Sequence, residues 1–299
     1  MAKKIALTAT ALLVAGLLWY LFIMPQDYLV RFHTKALPGT VNQIVKFWAG
    51  QKGNASFVQQ KSLGDFTSTL TQADTTLTFR WEISRENDST SLVKVKISDH
   101  AHSLKNRIGL PFSDTDFEKR SKSTVKEVYT LLQEHLSEFK TKVVGEAVIP
   151  EKYCLCVPLE NTQLKKVTGM MQYYSKLSNF VAKNGMEPNG RPMVEVENWN
   201  TENDSIAYNF CFPIIKTYSL PQEKGIIYKQ IKERKALKAI YNGNYLTSDR
   251  AWYALLDYAE RNDIPLVKTP LEVFHSNPNM GGNELDWKTE IFMPIKEQK

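Results

Sequence analysis

Residues 205–214 read SIAYNFCFPI and residues 286–295 read DWKTEIFMPI. Each alternates apolar with polar positions and stops on Phe-Pro-Ile or Met-Pro-Ile, the pattern of a half-buried strand ended by proline. Upstream of each, the same elements recur in the same order. The first copy predicts a strand over 146–158, a helix over about 165–184 and the strand RPMVEVENW (191–199). The second predicts a strand over 225–241, the helix SDRAWYALLDYAERN (248–262) and the strand TPLEVFHSN (269–277). Pro192 matches Pro270 at an offset of 78, and Pro213-Ile214 matches Pro294-Ile295 at an offset of 81. A duplicated strand–helix–strand–strand unit is expected to pair its sheets about a pseudo-twofold axis and to leave a cleft between the halves.

Outward from this repeat, residues 27–143 predict an α+β domain. A strand over 28–36 and a short helix to about Trp48 lead into strands at 55–63, 66–72, 75–85 and 91–98. TLTFRWEIS and SLVKVKIS alternate as antiparallel strands do, joined across Glu86-Asn87-Asp88. A long helix from about Asp114 to Thr141 follows, with Val125, Val128, Tyr129, Leu132, Leu136 and Phe139 as one apolar stripe. Asp114 or Asp116 is placed to cap it. This order resembles the helix-grip fold of the START-like, polyketide-cyclase-type (SRPBCC) superfamily, which implies a sheet wrapped on its last helix.

At the front, Ile5 to Met24 is a run of 20 residues without a charge. As a helix it spans about 30 Å, the thickness of a bilayer's hydrocarbon core. Trp19 and Tyr20 suit the interface, and residues 19–26 offer no small residue for signal cleavage. Residues 1–26 therefore read as an uncleaved single-pass anchor. Lys3 and Lys4 place the N-terminus in the cytoplasm and the bulk of the chain outside it.

The 299-residue chain is 42% hydrophobic and 23% charged, ordinary globular values. The net charge of +6 lies wholly in residues 1–145, with 19 Lys/Arg against 13 Asp/Glu, and is spread thinly there. Nucleic-acid binding needs clustered cations, so no nucleic-acid partner is expected. No cofactor motif or zinc spacing is present, and Asp99-His100-Ala101-His102 reads as a loop. Cys154 and Cys156 share a strand face, and Cys211 is within reach of either. Small buried hydrophobes remain the plainer reading of all three.

The second copy carries a denser motif. Tyr241-x-Gly243-x-Tyr245 precedes Trp252-x-x-Leu255-x-x-Tyr258, then Pro270-x-Glu272-x-Phe274-x-x-Asn277-Pro278 and Thr289-Glu290-Ile291-x-x-Pro294. In these residues the segment 146–299 resembles the GyrI-like, or AraC-type effector-binding, domain. That resemblance implies a cleft for lipophilic, often cationic, small molecules, with aromatic walls and a buried glutamate. A few relatives of that fold hydrolyse strained electrophiles with a glutamate. The helix-turn-helix region of gene-regulating members has no counterpart here.

With the two copies in register, Glu272 matches Val194 and Glu290 matches Asn209. The fold does without both carboxylates in the first copy, so both are candidates for the site. A carboxylate among Tyr, Trp and Phe needs hydrogen bonds or a cation to offset desolvation. The expected site is Glu272 and Glu290 with Tyr245, Trp252, Phe274 and Tyr208, core packing being the competing use of the aromatics. The function this implies is membrane-tethered sensing or sequestration of lipophilic compounds, cations among them, without a cofactor. A hydrolase using Glu272 as general base in the same cleft is the alternative.

Overall fold

The computed structural model describes residues 2–72, 75–87, 90–218 and 220–297, in two compact units, Met1–Glu134 and His135–Lys299. In the first unit, helix α1 (Ala2–Leu18) runs on through a wider helical turn, Trp19–Ile23. The helical run Lys3–Ile23 has mean hydropathy 2.1 and none of it is buried, so it is long and apolar enough to cross a membrane. Terminal helix carbonyls lack intrahelical donors and carry partial negative charge. Arg107 of helix α3 (Ser103–Gly109) supplies both missing terms. Its guanidinium donates to the carbonyls of Tyr20 (3.1 Å), Leu21 (3.0 Å) and Met24 (2.6 Å), while Nε donates to the buried Asp27 (2.7 Å).

Strands β1 (Tyr28–Thr34), β2 (Ala55–Ser62), β3 (Asp65–Gln72), β4 (Thr75–Arg85) and β5 (Ser91–Asp99) form an antiparallel sheet ordered β1-β5-β4-β3-β2. Helix α2 is Pro38–Gln51 and helix α4 is Asp116–Ser137. Alternation puts Phe79, Trp81, Val93, Val95 and Ile97 inside, and Val125, Val128 and Leu132 of α4 are buried as well. Tyr129 of α4 meets Phe32 of β1 edge-on at 5.2 Å. Two local expectations change. Thr115, not an aspartate, caps α4 through the backbone N–H of Glu118 (3.1 Å). The helix also stops short of Phe139, which opens a strand of the second unit and stacks on Tyr241 at 5.8 Å. Of the expected turn at Glu86-Asn87-Asp88, Asp88 lies outside the described residues.

The second unit has one eight-stranded sheet. Its strands are β6 (Phe139–Ile149), β7 (Lys152–Thr162), β8 (Met193–Trp199), β9 (Ser205–Pro213), β10 (Ile227–Ile231), β11 (Arg234–Gly243), β12 (Leu271–Phe274) and β13 (Lys288–Pro294). Helices α5 (Lys166–Lys183) and α6 (Arg250–Arg261) follow β7 and β11. The order β10-β7-β9-β8-β12-β13-β11-β6 is the repeat read outward from its centre. Glu272 pairs with Val194, its own repeat equivalent, so the pseudo-twofold axis passes between them. The matched prolines confirm it: Pro192 O accepts from Phe274 N (3.0 Å) and Pro270 O from Val196 N (2.9 Å).

The segments 146–158 and 225–241, expected as single strands, are each broken. β6 leaves its own copy to pair with β11, and β10 leaves its own to pair with β7. β6 and β7 hold positions eight and two of the sheet yet are joined by two residues. Six strand spacings amount to about 29 Å in a flat sheet, whereas such a link reaches roughly 10 Å. The sheet therefore curls until its edges meet at Pro150-Glu151 and Lys232-Glu233. Ile149, Cys154, Cys156, Met193, Cys211, Ile231, Leu271 and Phe292 pack on one face of it.

Within that cluster Cys156 and Cys211, opposed across β7 and β9, form a disulfide, and Cys154 remains a buried thiol. Burial pushes the Cys154 thiol up to about 12, so it stays protonated and unreactive. The bridge closes a loop over a sequence separation of 55. Replacing both cysteines (Cys156→Ala with Cys211→Ala) should lower stability by about 2–4 kcal/mol. Urea unfolding of that variant beside oxidised and reduced wild type measures it, and reduction should move only the wild type.

Candidate functional site

Helix α5 carries its apolar stripe through Met170, Leu177 and Val181, and Lys166 stands on that same stripe one turn earlier. The helix packs against the sheet, so Lys166 is driven under it and is wholly buried. Its ammonium meets the carboxylate of Glu272, which is also wholly buried. Ser248 Oγ accepts from Lys166 Nζ (2.7 Å) and lies 2.9 Å from Glu272 Oε1. Trp252 Nε1 donates to the same carboxylate oxygen at 2.8 Å, and the Lys166 ammonium sits 4.9 Å from the Trp252 ring centre. A buried carboxylate, an indole face and a hydroxyl are what a cation needs when it leaves water. Here the cation is the chain's own.

Two glycines permit this packing. Gly169 lets the Tyr208 hydroxyl pass α5 and donate to the Lys166 carbonyl (3.0 Å), since a Cβ there would lie 2.3 Å from the Tyr208 oxygen. Gly243 has φ +153° and leaves room for Tyr241, whose oxygen would be 2.6 Å from a Cβ. Beside the ion pair runs a second buried network. Gln163 donates to Asp249 (2.9 Å) and Tyr253 (3.1 Å) and accepts from Trp199 (2.9 Å). Arg250 donates to Asp249 (2.9 Å) and to His135 Nε2 (3.0 Å). Burial first, and the Arg250 charge second, hold the pKa of His135 down at about 3.

On the helix-covered face of the sheet is a cavity of about 110 Å³. Val167, Met170 and Tyr174 of α5 form one wall, and Tyr245 and Phe274, 4.8 Å apart, form the other. Arg191 stands among the lining residues, and no aspartate or glutamate does among the described residues. A second cavity of about 400 Å³ adjoins it through Tyr174 and Pro192.

Of the six expected site residues, Tyr245 and Phe274 therefore reach the cavity. Tyr208 and Trp252 are fully buried and hold the ion pair and its helix instead. Glu290 faces away from Glu272. Burial opposes its charge, but hydrogen bonds from Lys288 (2.7 Å) and Lys238 (3.0 Å) prevail and hold its pKa at about 2. Glu272 is absent from the lining, and as a carboxylate already paired and sealed it has no route to act as general base there. Lys166 is not among the expected residues, although a charge on the apolar stripe of α5 is the signal that marks it. Among the described residues no group of His, Cys, Asp or Glu is arranged to hold a metal.

Residues 154–296 match the family described as GyrI-like small molecule binding domain, and this segment is a GyrI-like domain. The chain is similar to the EcmrR C-terminal domain (18% identity, 54% of this chain and 99% of that one, TM-score 0.42). It is also similar to SAV2435 bound to tetraphenylphosphonium (10% identity, 53% and 94%, TM-score 0.37). A hydrolase from Listeria innocua is similar at 9% identity (52% and 92%, TM-score 0.35). No curated protein matches the chain.

Removing one partner of a buried ion pair strands the other. Glu272→Gln should therefore cost about 3–5 kcal/mol, and Lys166→Met with Glu272→Leu should recover most of that loss. Urea midpoints of the three proteins decide it; an unchanged midpoint for Glu272→Gln would refute the pairing. His135 gives a pH dependence of defined sign. The unfolded chain protonates it near pH 6.5, whereas the folded chain resists to about pH 3. Stability should fall between those values as the pH drops, by up to about 1.4 kcal/mol per pH unit from this group. Replacing His135 with Asn should flatten that part of a stability–pH curve.

Proposed function

We propose that the GyrI-like domain of residues 154–296 serves this chain as a receptor for lipophilic small molecules, held at a membrane by α1. The observation that carries the reading is the apolar cavity between α5 and the Tyr245–Phe274 pair. Its walls come from both copies of the repeat, the place where a duplicated domain gains a surface that neither copy has alone. Binding there is driven by apolar area, at roughly 25 cal/mol per Å² before ordering costs. The larger adjoining cavity gives a longer ligand somewhere to extend.

Three observations support the tether. The apolar side chains of α1 are exposed to solvent along its length. Its end is fixed by Arg107 and Asp27 onto the folded unit. Next to that end, Leu104, Ile108 and Phe112 are exposed at four-residue steps, an apolar edge suited to lipid. The Cys156–Cys211 disulfide agrees with an oxidising, non-cytoplasmic compartment for the bulk of the chain.

Filling the cavity tests the receptor reading. Val167→Trp should weaken binding of the neutral probe 4-phenylbutanol at least about tenfold, measured by titration calorimetry on full-length protein in nanodiscs with empty discs as blank. Equal affinity for both proteins would move the site elsewhere. Protease added to intact cells stripped of any outer layer should digest residues 27–299. Digestion only after lysis would reverse the orientation, and a soluble form beginning near residue 25 would make α1 a cleaved signal.

A further inference from the structure

We infer that the cavity selects lipophilic ligands bearing an anionic group, such as a carboxylate, over matched cations. The inference rests on the reading of this cavity as a ligand site and specifies the charge of what enters it. Two separate observations carry it. The first is the occupied cation place. Glu272, Trp252 and Ser248 form a carboxylate–indole–hydroxyl cage, and the Lys166 ammonium fills it from within the chain. A cationic ligand would have to displace a tethered ammonium, whose effective concentration is far above that of any free ligand. The next carboxylate, Glu290, is held by Lys288 and Lys238 and points to the other face of the sheet, meeting the lining only through His275, whose Nε2 lies 3.7 Å from its Oε2.

The second observation is the guanidinium among the described lining residues, which also include His275, an imidazole that burial, as the largest influence, keeps toward its neutral form. Arg191 lies just before β8, is exposed, and makes no ion pair or hydrogen bond among the described residues. Its charge acts on the Tyr245 hydroxyl, whose pKa burial raises and the Ser276 hydrogen bonds and Arg191 pull back, and on His275, whose pKa burial lowers first and Arg191 lowers further. Among the described residues no aspartate or glutamate lines the cavity, which combines apolar walls with the Arg191 guanidinium and the neutral polar groups of His275, Ser276 and Asn277. A guanidinium binds a carboxylate through two parallel N–H donors, and its partial exposure spares it the desolvation cost of a buried charge. A ligand with an aromatic or aliphatic body and a terminal carboxylate matches both features.

The test uses three probes of one shape: 4-phenylbutyrate, 4-phenylbutylammonium and the neutral 4-phenylbutanol. Each is titrated calorimetrically into full-length protein in nanodiscs, beside Arg191→Gln and empty discs. The butyrate should bind roughly tenfold or more tightly than the ammonium, and Arg191→Gln should bring it down to the affinity of the alcohol. The quantity read is the ratio of butyrate to alcohol affinity within each protein, which Arg191→Gln should bring to about one. Arg191 is exposed, so the variant should fold as wild type does. Equal or tighter binding of the ammonium, or a butyrate affinity indifferent to Arg191→Gln, overturns the charge preference and leaves the receptor reading intact. Failure of all three probes, the alcohol included, overturns both.

Discussion

The ion pair between Lys166 and Glu272 sits on the pseudo-twofold axis of the second unit, and the surrounding packing is organised around it. Two unit charges out of water carry a large desolvation penalty, which only close pairing and further hydrogen bonds offset. Ser248 and Trp252 provide those bonds from the start of α6, and Tyr208 steadies the helix that brings Lys166. The pair therefore ties α5 of the first copy to β12 and α6 of the second. It also breaks the symmetry of the repeat, because the residue opposite Glu272 is Val194. A symmetric core would have two equivalent sides. This one has a filled polar cage on the axis and an apolar cavity displaced toward Phe274.

The curled sheet makes the cage possible. β6 and β10 each pair with the other copy, so neither half can open without breaking a strand ladder belonging to its partner. The Cys156–Cys211 bridge locks the inner face of the same region. With the sheet fixed on that side, the adaptable surface is the helix-covered face, where α5 and the segment after β12 leave space. Binding in such a place requires little rearrangement of the scaffold, the condition under which apolar contact area translates most directly into affinity.

At the other end of the chain the same logic applies to a different charge. Arg107 joins the terminal carbonyls of the α1 run to Asp27, so the apolar helix leaves the first unit at a defined angle. Leu104, Ile108 and Phe112 are exposed beside that end of the run.

Much of the architecture is legible in the sequence because it rests on local signals. Alternation marks β4, β5, β9 and β13, apolar periodicity marks α4, and the matched prolines mark the repeat with its axis. Tyr245 and Phe274, which belong to the GyrI-like motif, line the cavity. The sequence also singled out Glu272 through the contrast with Val194, but not what it pairs with. Lys166 is 106 positions away from it, and only the packing of α5 across the axis brings them together. The breaks at 150–151 and 232–233 were equally hidden, since either half of each segment alternates correctly whichever copy it pairs with. Local chemistry determined the elements and their order. Long-range packing decided which charges neutralise each other, and with that which charge is left for a ligand.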